Sequence, residues 1–177
     1  CLTICVTGTN LTAIDSIEIV QPELEVLERF SDRAKYPTIG QLLGDSRVHH
    51  HFTDGRAFLR RSVERYDIIE ADALRPTSAY SGNLYSVEYF ELVRDRLAPG
   101  GFAVTWAPTQ RVLASLAAVF PFVLAFDDIA VGSLSPIDFA PSAIRERLRD
   151  PFSPAHYGTG QVDIEAALAK HPAGEPL

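Results

Sequence analysis

Cysteine is scarce: 177 residues contain only Cys1 and Cys5. If LTICVT is a strand, the two lie on one face about 13 Å apart at roughly 3.3 Å per residue, too far for a disulfide. A reducing compartment follows, and a cytoplasmic location is the expectation. Positive charge is also in deficit. Sixteen Lys and Arg stand against 23 Asp and Glu, a formal charge of −7, which argues against sequence-blind nucleic-acid binding because that needs a basic footprint. What a single pocket binds stays open, since local charge can oppose net charge. Long apolar runs are missing as well. The longest, VLASLAAVFPFVLAF (Val112–Phe126), is interrupted by Pro121 and is short for a bilayer span. It reads as a helix followed by a buried strand, and membrane insertion of this chain is not expected. The first residues show no basic segment leading into an apolar one. There is no serine-hydrolase elbow, P-loop or zinc-binding cysteine set.

What is present is an ordinary globular composition, 46% apolar and 22% charged, in a chain long enough to bury a real core. Candidate strands are 2–7, 16–20, 47–52, 66–71, 102–106, 122–126 and 129–134. Helical patterns fall between them at Glu23–Phe30, after Pro22, at Gly55–Val63, headed by Asp54, at Ser86–Leu97, with Val87, Phe90, Leu92, Val93 and Leu97 near one face, and at Arg111–Val119. Strands and helices in alternation mark an α/β domain. The last two strands are joined only by Asp127-Asp128, which permits an antiparallel hairpin and forbids a parallel crossover. The expected class is therefore α/β with a Rossmann-like, methyltransferase-type sheet, mostly parallel and finished by a C-terminal antiparallel hairpin strand. Residues 1–135 are expected to form this nucleoside-binding unit. Residues 136–177 form a helical and loop-rich extension packed on it, with helices at Pro141–Arg149 and Asp163–Lys170 and a frayed tail, HPAGEPL.

One connection conflicts with that plan. Only eight residues, GTNLTAID, separate LTICVT from SIEIV, and a parallel crossover needs a dozen or more. Either the first strand is not the parallel central one, or its helix has been lost and the start is that of a fragment or a degenerate copy.

Ligands of open α/β sheets bind beyond the carboxyl ends of the strands. Three acids fall at or near such ends: Glu18, Asp54 and Asp72. Each has a plain alternative. Glu18 reads equally as a surface acid, Asp54 as a helix cap, Asp72 as a turn former closing on its own backbone. Together at successive strand ends they point to a ligand. An acid after the second strand suits ribose hydroxyls. An acid with a glycine after the third, Asp54-Gly55, suits an adenine amino group approached closely by backbone.

The segments IEIVQPELEVLERF, DSRVHHHFTDGRAFLRRS, YDIIEADALRPTSAYSGNLYSVEYFELVRDRLAPGG and FPFVLAFDDIAVGS, in this order, resemble the catalytic domain of spermidine synthase-like proteins over roughly Asp15 to Ser133. DGRAFL and the stretch from Asp72 to Phe90 are the more specific parts. The resemblance implies an aminopropyl transfer of polyamine biosynthesis, from decarboxylated S-adenosylmethionine to a small-molecule amine, without a metal; a homodimer is compatible with it. Glu18 would bind ribose, and Asp54 and Gly55 the adenine end. Gly8 would cradle the amino-acid end of the nucleoside, with Ala73 among the cofactor contacts. Asp72 would face the sulfonium and the acceptor amine, with Tyr80, Tyr85 and Arg75 on the substrate side and Leu74–Asn83 as the lid.

Two features depart from the family pattern. Where D-x-x-D-P is usual, Asp72-Ala73-Leu74-Arg75-Pro76 puts Arg75 in place of a second acid. Two unit charges 4 Å apart interact by about 4 kcal/mol at an effective dielectric of 20, so reversing that contact disfavours a diamine unless Arg75 points to solvent. The glycine-rich turn after the first strand is reduced to Val6-Thr7-Gly8-Thr9, and the family's amino-terminal β-domain is absent. The alternatives are a methyltransferase-like protein using S-adenosylmethionine itself, and a non-catalytic remnant of the family.

Other residues carry weaker signals. In His49-His50-His51 only His49 and His51 share a strand face and could share an ion; a polar strand is the simpler reading. Arg56, Arg60 and Arg61 read as an anion site or, more simply, a solvated helix face. Tyr89 reads as pocket or core, and Trp106 as flanking the site or packing.

Overall fold

The computed structural model describes residues 2–7, 11–18, 45–71, 81–138 and 175–176, with isolated positions between 25 and 43 and between 140 and 149; in β1 and β2 it describes the backbone and, of the side chains, Asp15. Eight strands form one sheet in the order β3-β2-β1-β4-β5-β7-β6-β8. They are β1 (Leu2–Thr7), β2 (Leu11–Glu18), β3 (Val48–Phe52), β4 (Tyr66–Ala71), β5 (Leu97–Trp106), β6 (Phe122–Phe126), β7 (Ile129–Ser133) and β8 (Glu175–Pro176). Helices α1 (Gly55–Arg61), α2 (Val87–Arg96) and α3 (Gln110–Ala117) follow β3, β4 and β5.

The short first connection is resolved by strand direction. β1 pairs antiparallel with both β2 and β4, while β2–β3 and β4–β5 are parallel. Three residues, 8–10, join β1 to β2, a length that allows a hairpin and no crossover. Pairing with β1 also extends β2 back to Leu11, five residues earlier than the apolar pattern SIEIV begins. At the other end β7 lies antiparallel between β5 and β6. Strands β2 to β6 therefore share one direction, opposed by β1, β7 and β8. This is the Rossmann-like, methyltransferase-type sheet, with its antiparallel hairpin and with β1 reversed. Asp127 opens the hairpin turn at φ 50°, a left-handed conformation that Asp tolerates better than most residues.

The tail differs from expectation. Glu175 and Pro176 pair with Ala125 and Leu124, so the unsatisfied edge of β6 recruits an eighth strand. The expected helices at Glu23–Phe30 and Pro141–Arg149 are described only at isolated helical positions, and Asp163–Lys170 lies outside the described residues.

The core lies between the sheet and the three helices. Leu59 of α1, Tyr89, Phe90 and Val93 of α2, and Val112 and Leu116 of α3 are buried against Tyr66, Ile69, Ala103 and Ala130. Of the face expected for α2, Phe90, Val93 and Leu97 are buried and Leu92 packs against the core, with one exception. Val87 is 37% exposed, and Tyr89 takes its place in the core. α2 ends at Arg96 and β5 starts at Leu97, opposite Tyr66; the register then jumps so that Ile68 faces Phe102. Pro99-Gly100-Gly101 thus forms a bulge in the strand rather than a loop before it. Gly101 is required there, because a Cβ would lie 3.0 Å from the carbonyl oxygens of Tyr66, Asp67 and Ala98. Three ties fix this end of the sheet: Arg96 Nε donates to Leu59 O at 2.8 Å, Arg65 Nη1 to Leu97 O at 2.8 Å, and the buried Ser133 hydroxyl to Gly101 O at 3.0 Å.

Candidate functional site

Register places the strand ends that carry the three acids on one edge. Ile17 and Ala71 lie level across Leu2 of β1, Glu18 is paired with Phe52, and Ala71 with Thr105. With strands about 4.8 Å apart, the ends of β3 and β4 are separated by roughly 14 Å, the scale of a nucleoside. Glu18 closes β2, Asp54 follows β3 by two residues, and Asp72 follows Ala71 directly. Asp72, Ala73, Arg75 and Tyr80, and most of the expected lid, lie outside the described residues.

Gly8 also lies outside them. Thr7 pairs with Leu11, at the edge where the parallel strands begin, whereas Leu2 is the residue of β1 level with Ala71. The end of β1 at Thr7 therefore lies at the opposite edge from Leu2 and Ala71.

Asp54 serves as the N-cap of α1. Its Oδ1 accepts from the Ala57 N–H at 2.9 Å, and its carbonyl accepts from Phe58 N–H at 2.9 Å. The cap occupies one oxygen of an exposed carboxylate, which leaves the other for a ligand. Gly55 begins the helix. The structural and functional readings of this acid are therefore compatible.

Two hollows open at this edge. One of about 580 Å³ lies between the starts of α2 and α3 and is lined by Tyr85, Ser86, Glu88, Thr109, Arg111 and Ser115 among others. Both helix starts are capped: Ser86 Oγ accepts from Tyr89 N–H at 3.3 Å and Thr109 Oγ1 from Val112 N–H at 3.4 Å. Its own backbone N–H and the Ser86 hydroxyl hold the Glu88 carboxyl below its ordinary pKa. Tyr85, 5% exposed, forms part of the wall. A smaller hollow of about 190 Å³ is lined by Glu70, Ala71, Val104, Thr105, Trp106 and Ile129. Trp106 thus flanks the point from which the chain runs into Asp72.

The histidines behave as the strand period requires. His49 and His51 share a face and meet the Asp15 carboxylate, His51 Nε2 at 2.9 Å and His49 Nδ1 at 3.7 Å, and the His51 ring tilts onto Phe58 with centroids 4.7 Å apart. Among the described residues no group of three His, Cys, Asp or Glu side chains is arranged to hold a metal. Arg60 and Arg61 are exposed, as a solvated helix face implies, while Arg56 turns inward and its Nε is buried. Among the described residues no helix is long and apolar enough to cross a membrane.

Residues 9–119 match the sequence model of the family described as spermine/spermidine synthase domain. The chain belongs to that family. Over 96 residues it is 28% identical to the polyamine aminopropyltransferase of Thermoplasma volcanium, covering 54% of this chain and 33% of that protein, so it spans about a third of that relative's length. Among solved structures it is similar to human methyltransferase-like protein 13 in complex with SAH, with TM-score 0.59, 21% identity, and coverage of 84% of this chain and 73% of that one. A spermidine synthase in complex with the transition-state analogue AdoDATO gives TM-score 0.53 and 16% identity, covering 75% of this chain and 49% of that one. At these identities the two structures speak to fold. Of the other spermidine synthase-type features, the DGRAFL segment maps onto the Asp54 cap and α1, and LYSVEYF onto the start of α2.

Proposed function

We propose that this spermidine synthase-family domain transfers an aminopropyl group from decarboxylated S-adenosylmethionine to a small amine. One observation carries the reading: the ends of β2, β3 and β4, each bearing an acid within two residues, stand level on one edge of the sheet. In this reading Glu18 accepts from the ribose hydroxyls and Asp54, with Gly55 beside it, from the adenine amino group. Ala73 joins the cofactor contacts, and Asp72 faces the reacting carbon. The acceptor ammonium first sheds a proton, the free amine then attacks the carbon next to the sulfonium, the C–S bond breaks, methylthioadenosine leaves, and the positive charge passes to the new secondary ammonium. An ammonium with a pKa near 10 gives up that proton reluctantly to a carboxylate near 4. Asp72 therefore acts chiefly by orienting the amine and stabilising the positive charge that develops on nitrogen. Tyr80 and Tyr85 shape the acceptor side, and residues 1–135 form the nucleoside-binding unit.

The reversed β1 favours a second reading. β1 runs antiparallel to both β2 and β4, and the segment after it carries the single Gly8 where the family has a glycine-rich turn, which supports a nucleoside-binding remnant without turnover. Calorimetric titration with methylthioadenosine, S-adenosylmethionine and its decarboxylated form separates the readings. Transfer predicts binding of the decarboxylated donor and of methylthioadenosine, with amine-dependent product release. Binding without turnover on any amine supports the remnant, S-adenosylmethionine turnover a methyltransferase, and binding of none of the three removes all nucleoside readings.

Arg75 gives a further expectation. If it faces the acceptor, Arg75→Asp raises kcat/KM for putrescine by about tenfold or more, because one repulsive contact becomes attractive and each 1.4 kcal/mol is a factor of ten. Unchanged kinetics place Arg75 away from the acceptor.

A further inference from the structure

β4 runs inside the sheet, between β1 and β5, and an inner strand covered on both faces reads as an unbroken apolar run. YDIIEA breaks that run at Glu70. Ile69 and Ala71 are buried with Ala103 and Ala130 on the side of the three helices, so strand alternation turns Glu70, Val104 and Trp106 to the other side. Register sets Glu70 level with Val104, and Trp106 level with Ile129. Glu70 is exposed there, and its carboxylate has no hydrogen-bond or ion-pair partner among the described residues. All four residues line the hollow of about 190 Å³ at the crevice edge. An acid on a sheet face is by itself only a solvated charge, but its company here is specific. One carboxylate, the single indole of the protein and the aliphatic side chains of Val104 and Ile129 surround a space smaller than sites that enclose larger ligands. A hard divalent cation takes six or more oxygen ligands, and one carboxylate does not supply them. An alkylammonium ion suits every wall: its charge meets the carboxylate and the indole face, and its methylene chain meets the aliphatic side chains.

We infer that Glu70 and Trp106 form an alkylammonium subsite that holds the far end of a diamine acceptor while its near amine reacts at Asp72. The inference rests on the transfer proposed above and adds to it the two residues that select a second positive charge. Glu70 stands two residues before Asp72 in the chain, so one segment supplies both carboxylates. Where Arg75 occupies the position of the family's second acid, the strand before it provides a negative charge instead. A monoamine of the same length leaves the carboxylate and the indole without their cation and is the poorer acceptor.

Trp106 is the protein's only tryptophan, so its fluorescence reports on this hollow in the whole chain without any need of turnover. Putrescine is expected to change that emission saturably, with an affinity that falls as salt is raised. The uncharged 1-butanol is expected to leave it unchanged. Glu70→Gln, an isosteric change on an exposed side chain, is expected to keep the melting temperature, to weaken the Kd for putrescine about 3- to 10-fold and to flatten its salt dependence. In turnover the same variant is expected to lose a similar factor in kcat/KM for putrescine, and less than about twofold for butylamine, which has no far ammonium. No emission response to putrescine, or an unchanged Kd in Glu70→Gln, overturns the inference. So does an equal loss for putrescine and butylamine, which would make Glu70 a general support of the strand. Transfer to putrescine with an indifferent Glu70→Gln variant removes the inference alone. An emission response that depends on Glu70, without transfer to any amine, removes the transferase reading and keeps the ammonium subsite.

Discussion

Asp72→Asn is expected to lower kcat for aminopropyl transfer by about 10²-fold or more while leaving the Kd for methylthioadenosine within about threefold. The substitution is isosteric, so it keeps the shape of the site and removes one negative charge. The product nucleoside carries no sulfonium and has no need of that charge, whereas the donor and the attacking amine both do. Single-turnover kinetics with the decarboxylated donor, beside calorimetry with methylthioadenosine, read the two effects separately. Full turnover by the Asn variant would take Asp72 out of the mechanism. A matching loss of product affinity would make it a nucleoside-binding residue instead.

Phe120→Ala is expected to destabilise the protein by about 3–5 kcal/mol, a large part of the roughly 5–15 kcal/mol of a typical domain. Phe120 is 2% exposed at the junction of α3 and β6, and its ring lies against Gly132 of β7. A Cβ on residue 132 would come within 2.8 Å of that ring. Gly132→Ala alone should therefore cost about 1–3 kcal/mol by overpacking. In the Phe120→Ala background the added methyl group occupies vacated space, so its cost should shrink or change sign. Urea melts of the four proteins measure the cycle. Strict additivity would mean that the ring and the hairpin do not share this contact.

Much of the scaffold was legible in the chain because local rules there agree with the fold. YDIIEA, FVLAF and IAVGS read as strands from their apolar runs, and two residues between the last pair fixed a hairpin. Connection length also limited β1. Eight residues cannot carry a parallel crossover, and the hairpin that forms is one of the two outcomes that limit allowed. Which of the two occurs was not legible, because strand direction belongs to the whole sheet. Apolar spacing put Val87 in the core of α2, whereas Tyr89 is there. The helix starts one turn from the crevice, and the rotation of its first turn is set by the Ser86 cap and by packing on α1. The Asp54 cap was visible as a pattern. The inward turn of Arg56 was not, since three arginines at helical spacing look alike until the neighbouring helix is in place.

The arginine clamps at Leu59 and Leu97 and the Ser133–Gly101 bond all sit where the parallel strands begin. Anchorage and the proposed recognition edge thus fall at opposite ends of the parallel strands. Under the proposed function, segments at that edge can be exchanged, lengthened or recharged while the foundations hold their geometry, so loop grafting is expected to change the amine accepted without redesign of the hydrophobic interior.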